Sequence, residues 1–223
     1  MKAFSHVLLA FGGLLIAAGG AWAITLESVP LVAGDTSVAR VASWTASPPG
    51  IPLSITAQNL LLVDCETVLK APDALGMRYL DQAVRDRVPA TCMSIARGIT
   101  ETSVTSGYGW LVAAMAAAQM GDVETMNQAL RRSRAVAPSE GWIAADRLIL
   151  ADIHYDSLDA ETRKVYEDDM QLLVQTRGAA DIARRYASHP QFRERITAVV
   201  ETMPAAVQRR FVNLVGAALR ASR

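Results

Sequence analysis

Helix-breaking residues divide the chain from Ser54 onward into short segments, and within each segment apolar residues recur at spacings of three and four. No stretch alternates with the period of two that a strand requires. Pro72, Pro89, Gly121-Asp122, Pro138, Asp156-Ser157, Gly178, Pro190 and Pro204 mark the breaks. The spacing predicts helices near 55–70, 73–87, 90–101, 107–120, 122–136, 139–154, 159–176, 178–188, 191–203 and 204–221. Connections this short make consecutive helices antiparallel neighbours. The expected class is therefore all-α, built from antiparallel helical hairpins.

Ahead of that array lie two segments of different character. An uncharged apolar run extends from Val7 to Ile24, which reaches the lower limit for a bilayer span of roughly 17–25 residues. It closes on Ala21-Trp22-Ala23, a small-x-small pattern that a signal peptidase could cut after Ala23. Lys2 precedes the run and the next basic residue is Arg40, so the positive-inside rule exports the chain beyond the run. A retained anchor is favoured because Trp22 is placed as an interfacial aromatic. Residues 1–24 are thus a signal or single transmembrane anchor, and residues 25–53, with Pro30, Gly34, Pro48, Pro49, Gly50 and Pro52, read as a tether. Residues 54–223 form the helical domain. In a bacterial chain that domain faces the periplasm from the inner membrane, or is soluble there after cleavage.

The domain carries two cysteines, Cys65 and Cys92. Cys65 shares a helical stripe with Leu61, Leu62, Val68 and Leu69, and Cys92 shares one with Ile95, Ala96 and Ile99. Both sulfurs then point to a core that two antiparallel helices could share, and an oxidising compartment favours a disulfide. No C-x-x-C spacing suggests a redox pair, and His154 and His189 are too isolated to complete a zinc site. Net charge is zero, which gives nucleic acid no bulk electrostatic attraction. The balance conceals an acidic stretch from Glu140 to Thr176 and a basic one from Gly178 to Arg223. Helix faces that attract one another explain this; docking of the basic end on anionic lipid or polymer is the alternative.

Within "GYGWLVAAMAAAQMGDVETMNQALRRSRAVAP", residues 107–138, the segment Trp110–Pro138 forms one helix–turn–helix unit. Gly121 suits a left-handed turn, Asp122 a helix cap, and Val123, Met126, Ala129, Leu130 and Ser133 an inner face. With Trp110, Ala114, Ala117, Gly121, Leu130, Ser133 and Pro138 at matching offsets, the unit resembles a tetratricopeptide repeat; Met126 stands where that family has Ala. The resemblance implies a short tetratricopeptide-like solenoid whose first helices border a groove for peptides or helices. Tyr108, Gln119 and Gln128 would lie at its edge, although Trp110 and Trp142 read as core. A softer likeness, through "LRRSRAVAPSEGWIAADRL" and "FRERITAVVETMP" with Trp142, Ala144 and Arg147, is to small helical-repeat proteins of bacterial exopolysaccharide and O-antigen assembly systems.

Catalytic signatures are missing: there is no G-x-S-x-G, H-E-x-x-H, P-loop or dinucleotide fingerprint. His154 stands between Asp152 and Asp156, which would suit a general base, but no nucleophile is tied to it. Asp168 and Asp169 are adjacent on a helix and face different directions. The segment from Pro204 places Val207, Phe211, Leu214, Val215 and Ala218 on one side, with Arg209, Arg210 and Arg220 elsewhere. It reads as a capping helix, with Phe211, Arg209 and Arg210 as a candidate partner surface. The expected protein is a non-catalytic adaptor without cofactor or metal, which binds a protein partner and the membrane through residues 7–24. A soluble periplasmic peptide-binding or chaperone-like module is the alternative, and an enzyme acting through His154 the third reading.

Overall fold

A computed structural model describes residues 2–32 and 36–221. Among the described residues every regular element is helical and no strand occurs. The chain divides into two compact units, Met1–Thr102 and Ser103–Arg223.

The first unit contains α1 (Lys2–Val32), α2 (Ser37–Trp44), α3 (Ile55–Lys70), the single turns α4 (Leu75–Arg78) and α5 (Gln82–Arg85), and α6 (Val88–Thr102). Helices α2, α3 and α6 pack together around Val41, Trp44, Leu61, Leu62, Ile95 and Ile99. A disulfide joins Cys65 of α3 to Cys92 of α6 across a Cα–Cα distance of 5.5 Å. Asp64 of α3 is buried and is met by Arg40 of α2 through Nε at 2.6 Å and Nη2 at 2.5 Å, with Ser37 Oγ donating at 2.7 Å.

The expected helix over 73–87 is instead two isolated turns. Leu75 and Tyr79 face solvent and Met77 alone is buried, so no apolar stripe holds a continuous helix against the core. The stretch 25–53 also carries more structure than its Pro and Gly content suggests. Helix α1 continues to Val32, and α2 buries Val41 and Trp44.

Helix α1 includes the stretch Ala10–Ser28, long and apolar enough to cross a membrane or to act as a signal, with none of it buried within the protein. Its end is tied to the start of α3. Glu27 Oε1 accepts the backbone N–H groups of Leu53 and Ser54, each at 2.8 Å, and Ser54 Oγ donates to Oε2. Ser54 in turn caps α3 by accepting from the Ala57 N–H. Leu26 lies against Gly50, where a Cβ would come within 2.6 Å of Leu26 Cδ2.

The second unit contains α7 (Gly107–Gln119), α8 (Val123–Val136), α9 (Gly141–Ile153), a 3-10 turn (Tyr155–Ser157), α10 (Ala160–Gln175), α11 (Ala179–Ser188), α12 (Pro190–Glu201) and α13 (Ala205–Ala221). Helix α7 packs on α8 and α9, and α10 packs on α8, α9, α11 and α12. Gly121 turns the chain at φ +72°, and Asp122 caps α8 by accepting from the Thr125 N–H. Helix α7 is buried nearly all round, which explains its alanines: Ala113, Ala114, Ala116 and Ala117 admit close neighbours on every side.

The closest approach is at Gly107. A Cβ there would meet Ala137 Cβ at 2.4 Å, and the Ser133 hydroxyl donates to the Gly107 carbonyl at 2.8 Å. Gly107→Ala is expected to destabilise the protein by about 1–3 kcal/mol through overpacking. Ala137→Gly in the same chain should return most of that loss. Urea midpoints check both; an additive double mutant would place the strain elsewhere.

Below that contact lies a buried charge network. Arg147 of α9 donates through Nε to Asp169 Oδ2 at 2.8 Å and through Nη2 to Oδ1 at 2.7 Å, and both side chains are 1 % exposed. Arg147 Nη1 also reaches Ser133 Oγ at 3.2 Å, while Arg134 adds a contact to Asp169 at 3.3 Å. Helices α8, α9 and α10 thus share one polar knot. Its neighbour Asp168 turns outward to Lys164 at 2.9 Å.

Candidate functional site

Helix α9 has two apolar faces. One, with Ile143, Ala144, Leu148, Leu150 and Ala151, is buried. The other carries Trp142, Ile149 and Ile153, which are 52 %, 39 % and 67 % exposed. At 3.6 residues per turn these three fall within about 40° of one another and run about 16 Å along the helix. Scattered surface apolar residues are ordinary; these three share one face, with Asp146 between Trp142 and Ile149, and include a tryptophan, the kind of side chain a partner can cover. Trp142 is held from beneath by Tyr108 of α7, whose ring meets it edge-on at 4.9 Å and 74°. An aromatic pair so fixed loses little freedom on binding.

The residues read as groove-lining are distributed differently. Tyr108 is buried and serves as the platform for Trp142, while Gln119, the last residue of α7, and Gln128, midway along α8, are both exposed. Trp110 is half-buried, and its Nε1 donates to the Val104 carbonyl at 3.3 Å. Ala114, Ala117, Leu130 and Ser133 are buried, and Gly121 and Pro138 lie at the surface. The stripe on α9 corrects the reading of Trp142 as core: half of its side chain faces solvent. The available signal is an excess of apolar residues, more than one buried face can use.

The candidate surface at α13 also resolves into separate roles. Phe211 is buried and meets Tyr186 edge-on at 6.0 Å. Arg210 donates to the carbonyls of Val174 at 2.7 Å and Thr176 at 3.2 Å, and so satisfies the C-terminus of α10. Arg209 remains exposed. A shallow groove of about 540 Å³ runs between α11 and α13, lined by Ala180, Arg184, Leu214 and Ala217 among others.

Opposite charges from the acidic and basic stretches meet at Asp152. Its carboxylate accepts from Tyr166 Oη at 2.7 Å and Arg195 Nη1 at 2.6 Å, and also from Arg185. Arg195 stacks over the Tyr155 ring at 3.9 Å. Burial, reinforced by the bond to Asp152, pushes the Tyr166 pKa well above the ordinary tyrosine range, so the hydroxyl stays a donor. These groups back a cleft of about 410 Å³ that Lys164, Gln171 and Thr202 also line. Asp152 is therefore occupied and does not orient His154. The imidazole follows the end of α9, with burial pulling its pKa down, and makes no side-chain hydrogen bond among the described residues. Among the described residues, His189 Nδ1 meets only Ser188 Oγ, at 2.8 Å. No group of three or more metal-ligating side chains occurs among the described residues.

Comparison with known proteins finds no family, no curated protein and no solved structure that matches this chain.

Proposed function

We propose that this protein is an exported, membrane-anchored adaptor that binds a protein partner through the open face of α9 and performs no catalysis. The carrying observation is the aligned stripe of Trp142, Ile149 and Ile153, which suits the apolar face of a partner helix anchored at successive turns. Helix α1 serves as a single inner-membrane pass with the residues that follow it on the periplasmic side. The Cys65–Cys92 disulfide supports an oxidising compartment. The side-by-side arrangement of α7–α8 and α9–α10 supports the tetratricopeptide resemblance. The softer likeness offers exopolysaccharide or O-antigen assembly as the setting. Confinement to the membrane raises the adaptor's effective concentration beside a membrane-bound partner.

One observation favours a soluble module instead: the small-x-small pattern of Ala21-Trp22-Ala23. The anchored reading is preferred because Trp22 is exposed on α1 at the place of an interfacial aromatic. Fractionation of cells with an alkaline wash is expected to leave the full-length chain in the membrane pellet. Recovery of a shortened chain in the soluble periplasm would give the soluble module preference. Photocrosslinkers at Trp142, Ile149 and Ile153 should capture one common partner, lost in an Ile149→Asp/Ile153→Asp chain that remains folded. Absence of any adduct at all three positions would sink the adaptor reading.

A further inference from the structure

The contact between α1 and α3 fixes where part of the first unit lies relative to a bilayer. Ala10–Ser28 is the stretch of α1 apolar enough to span, and at 1.5 Å per residue it is about 28 Å long, close to the roughly 30 Å of a hydrocarbon core. Glu27 falls in its last turn. A carboxylate at that depth is costly unless its oxygens are bonded, and here they accept the N–H groups of Leu53 and Ser54 and the Ser54 hydroxyl. The loop that precedes α3 is thereby drawn to the level of the span's exit. On either side of Ser54, Leu53 and Ile55 project into solvent, 61 % and 71 % exposed. Trp22 and Ile24, one to two turns deeper on α1, are exposed as well.

We infer that Leu53 and Ile55 are a second membrane contact: they enter the outer interfacial layer of the bilayer that α1 spans. The inference rests on the anchored reading. Bilayer lipid is the occupant because the loop is hydrogen-bonded to the end of the spanning segment itself. The three bonds to Glu27 bring the peptide groups to that depth already paired, so the two side chains gain an apolar environment while few polar groups lose water. Leu26 against Gly50 closes the gap between helix and loop. The unit is consequently held by two points, which fixes its orientation instead of letting it swing on a single helix.

The test uses the full-length chain in vesicles of phosphatidylethanolamine and phosphatidylglycerol. Leu53→Cys and Ile55→Cys, each labelled with an environment-sensitive fluorophore, report depth; the native cysteines are occupied by the disulfide. With the protein floating with the vesicles, the expected result is blue-shifted emission, loss of signal with shallow spin-labelled lipid, and protection from aqueous iodide. Glu27→Ala, which releases the loop, should restore iodide access while flotation persists. Co-flotation with unrestricted iodide quenching overturns the contact and leaves the anchor intact. Protection from both quenchers also overturns it, and points to a protein occupant. Failure to float removes the anchored reading itself.

Discussion

Arg147→Met is expected to destabilise the second unit by about 3–5 kcal/mol, the cost of leaving a buried charge without its partner. Asp169 is as deeply buried as Arg147, and its remaining cation would be Arg134 at 3.3 Å. The substitution also removes donors from Ser133 Oγ and the Ala137 carbonyl, so α8 and α10 lose a shared partner on α9 at once. Replacing both charges, Arg147→Met with Asp169→Leu, should recover most of the stability, since a buried pair exchanged for apolar groups is often neutral or better. Urea denaturation measures both, and hydrogen exchange assigns the loss to α8, α9 and α10. A loss below about 1 kcal/mol in the single variant would mean that water reaches the pair.

Opening the disulfide has the next largest expected effect. Cys65 and Cys92 are 27 residues apart, and release of a loop of that size costs about 3.5 kcal/mol in the chain-entropy model. The loop contains α4 and α5, each a single turn, so the unfolded chain gains most of the freedom the bond had removed. Cys65→Ala/Cys92→Ala should lower the urea midpoint, and exchange should rise first in α3 and α6. Reduction of the native chain with dithiothreitol should reproduce the shift. An unchanged midpoint after confirmed reduction would show that Val41, Trp44 and the α3–α6 packing hold the unit without it.

Both predictions concern features of different visibility. The cysteines can be paired from their stripes, because each stripe depends on residues within two turns. Helix positions are legible for the same reason: 55–70, 107–120 and 204–221 lie within a residue of α3, α7 and α13. The Arg147–Asp169 pair is not legible, since it joins residues 22 apart and depends on which faces of α9 and α10 meet. Tyr108 can be placed on α7, but not assigned as the support beneath Trp142. The end of α1 is hidden for a related reason. Pro30 signals a break, yet α1 continues to Val32, and the Glu27–Ser54 contact that ties its end to α3 spans 27 positions. Local chemistry sets segments; their partners are decided at a distance.

The grip of Arg210 on the end of α10 carries a consequence for the order of events in synthesis. Val174 and Thr176 leave the ribosome well before the side chain that satisfies their carbonyls, as does Tyr186 before Phe211. Of the second unit's helices α13 emerges last, so its contacts with α10 and α11 form only after the rest of the unit has been made. The carbonyls at the end of α10 thus wait for the last helix to be made before Arg210 satisfies them.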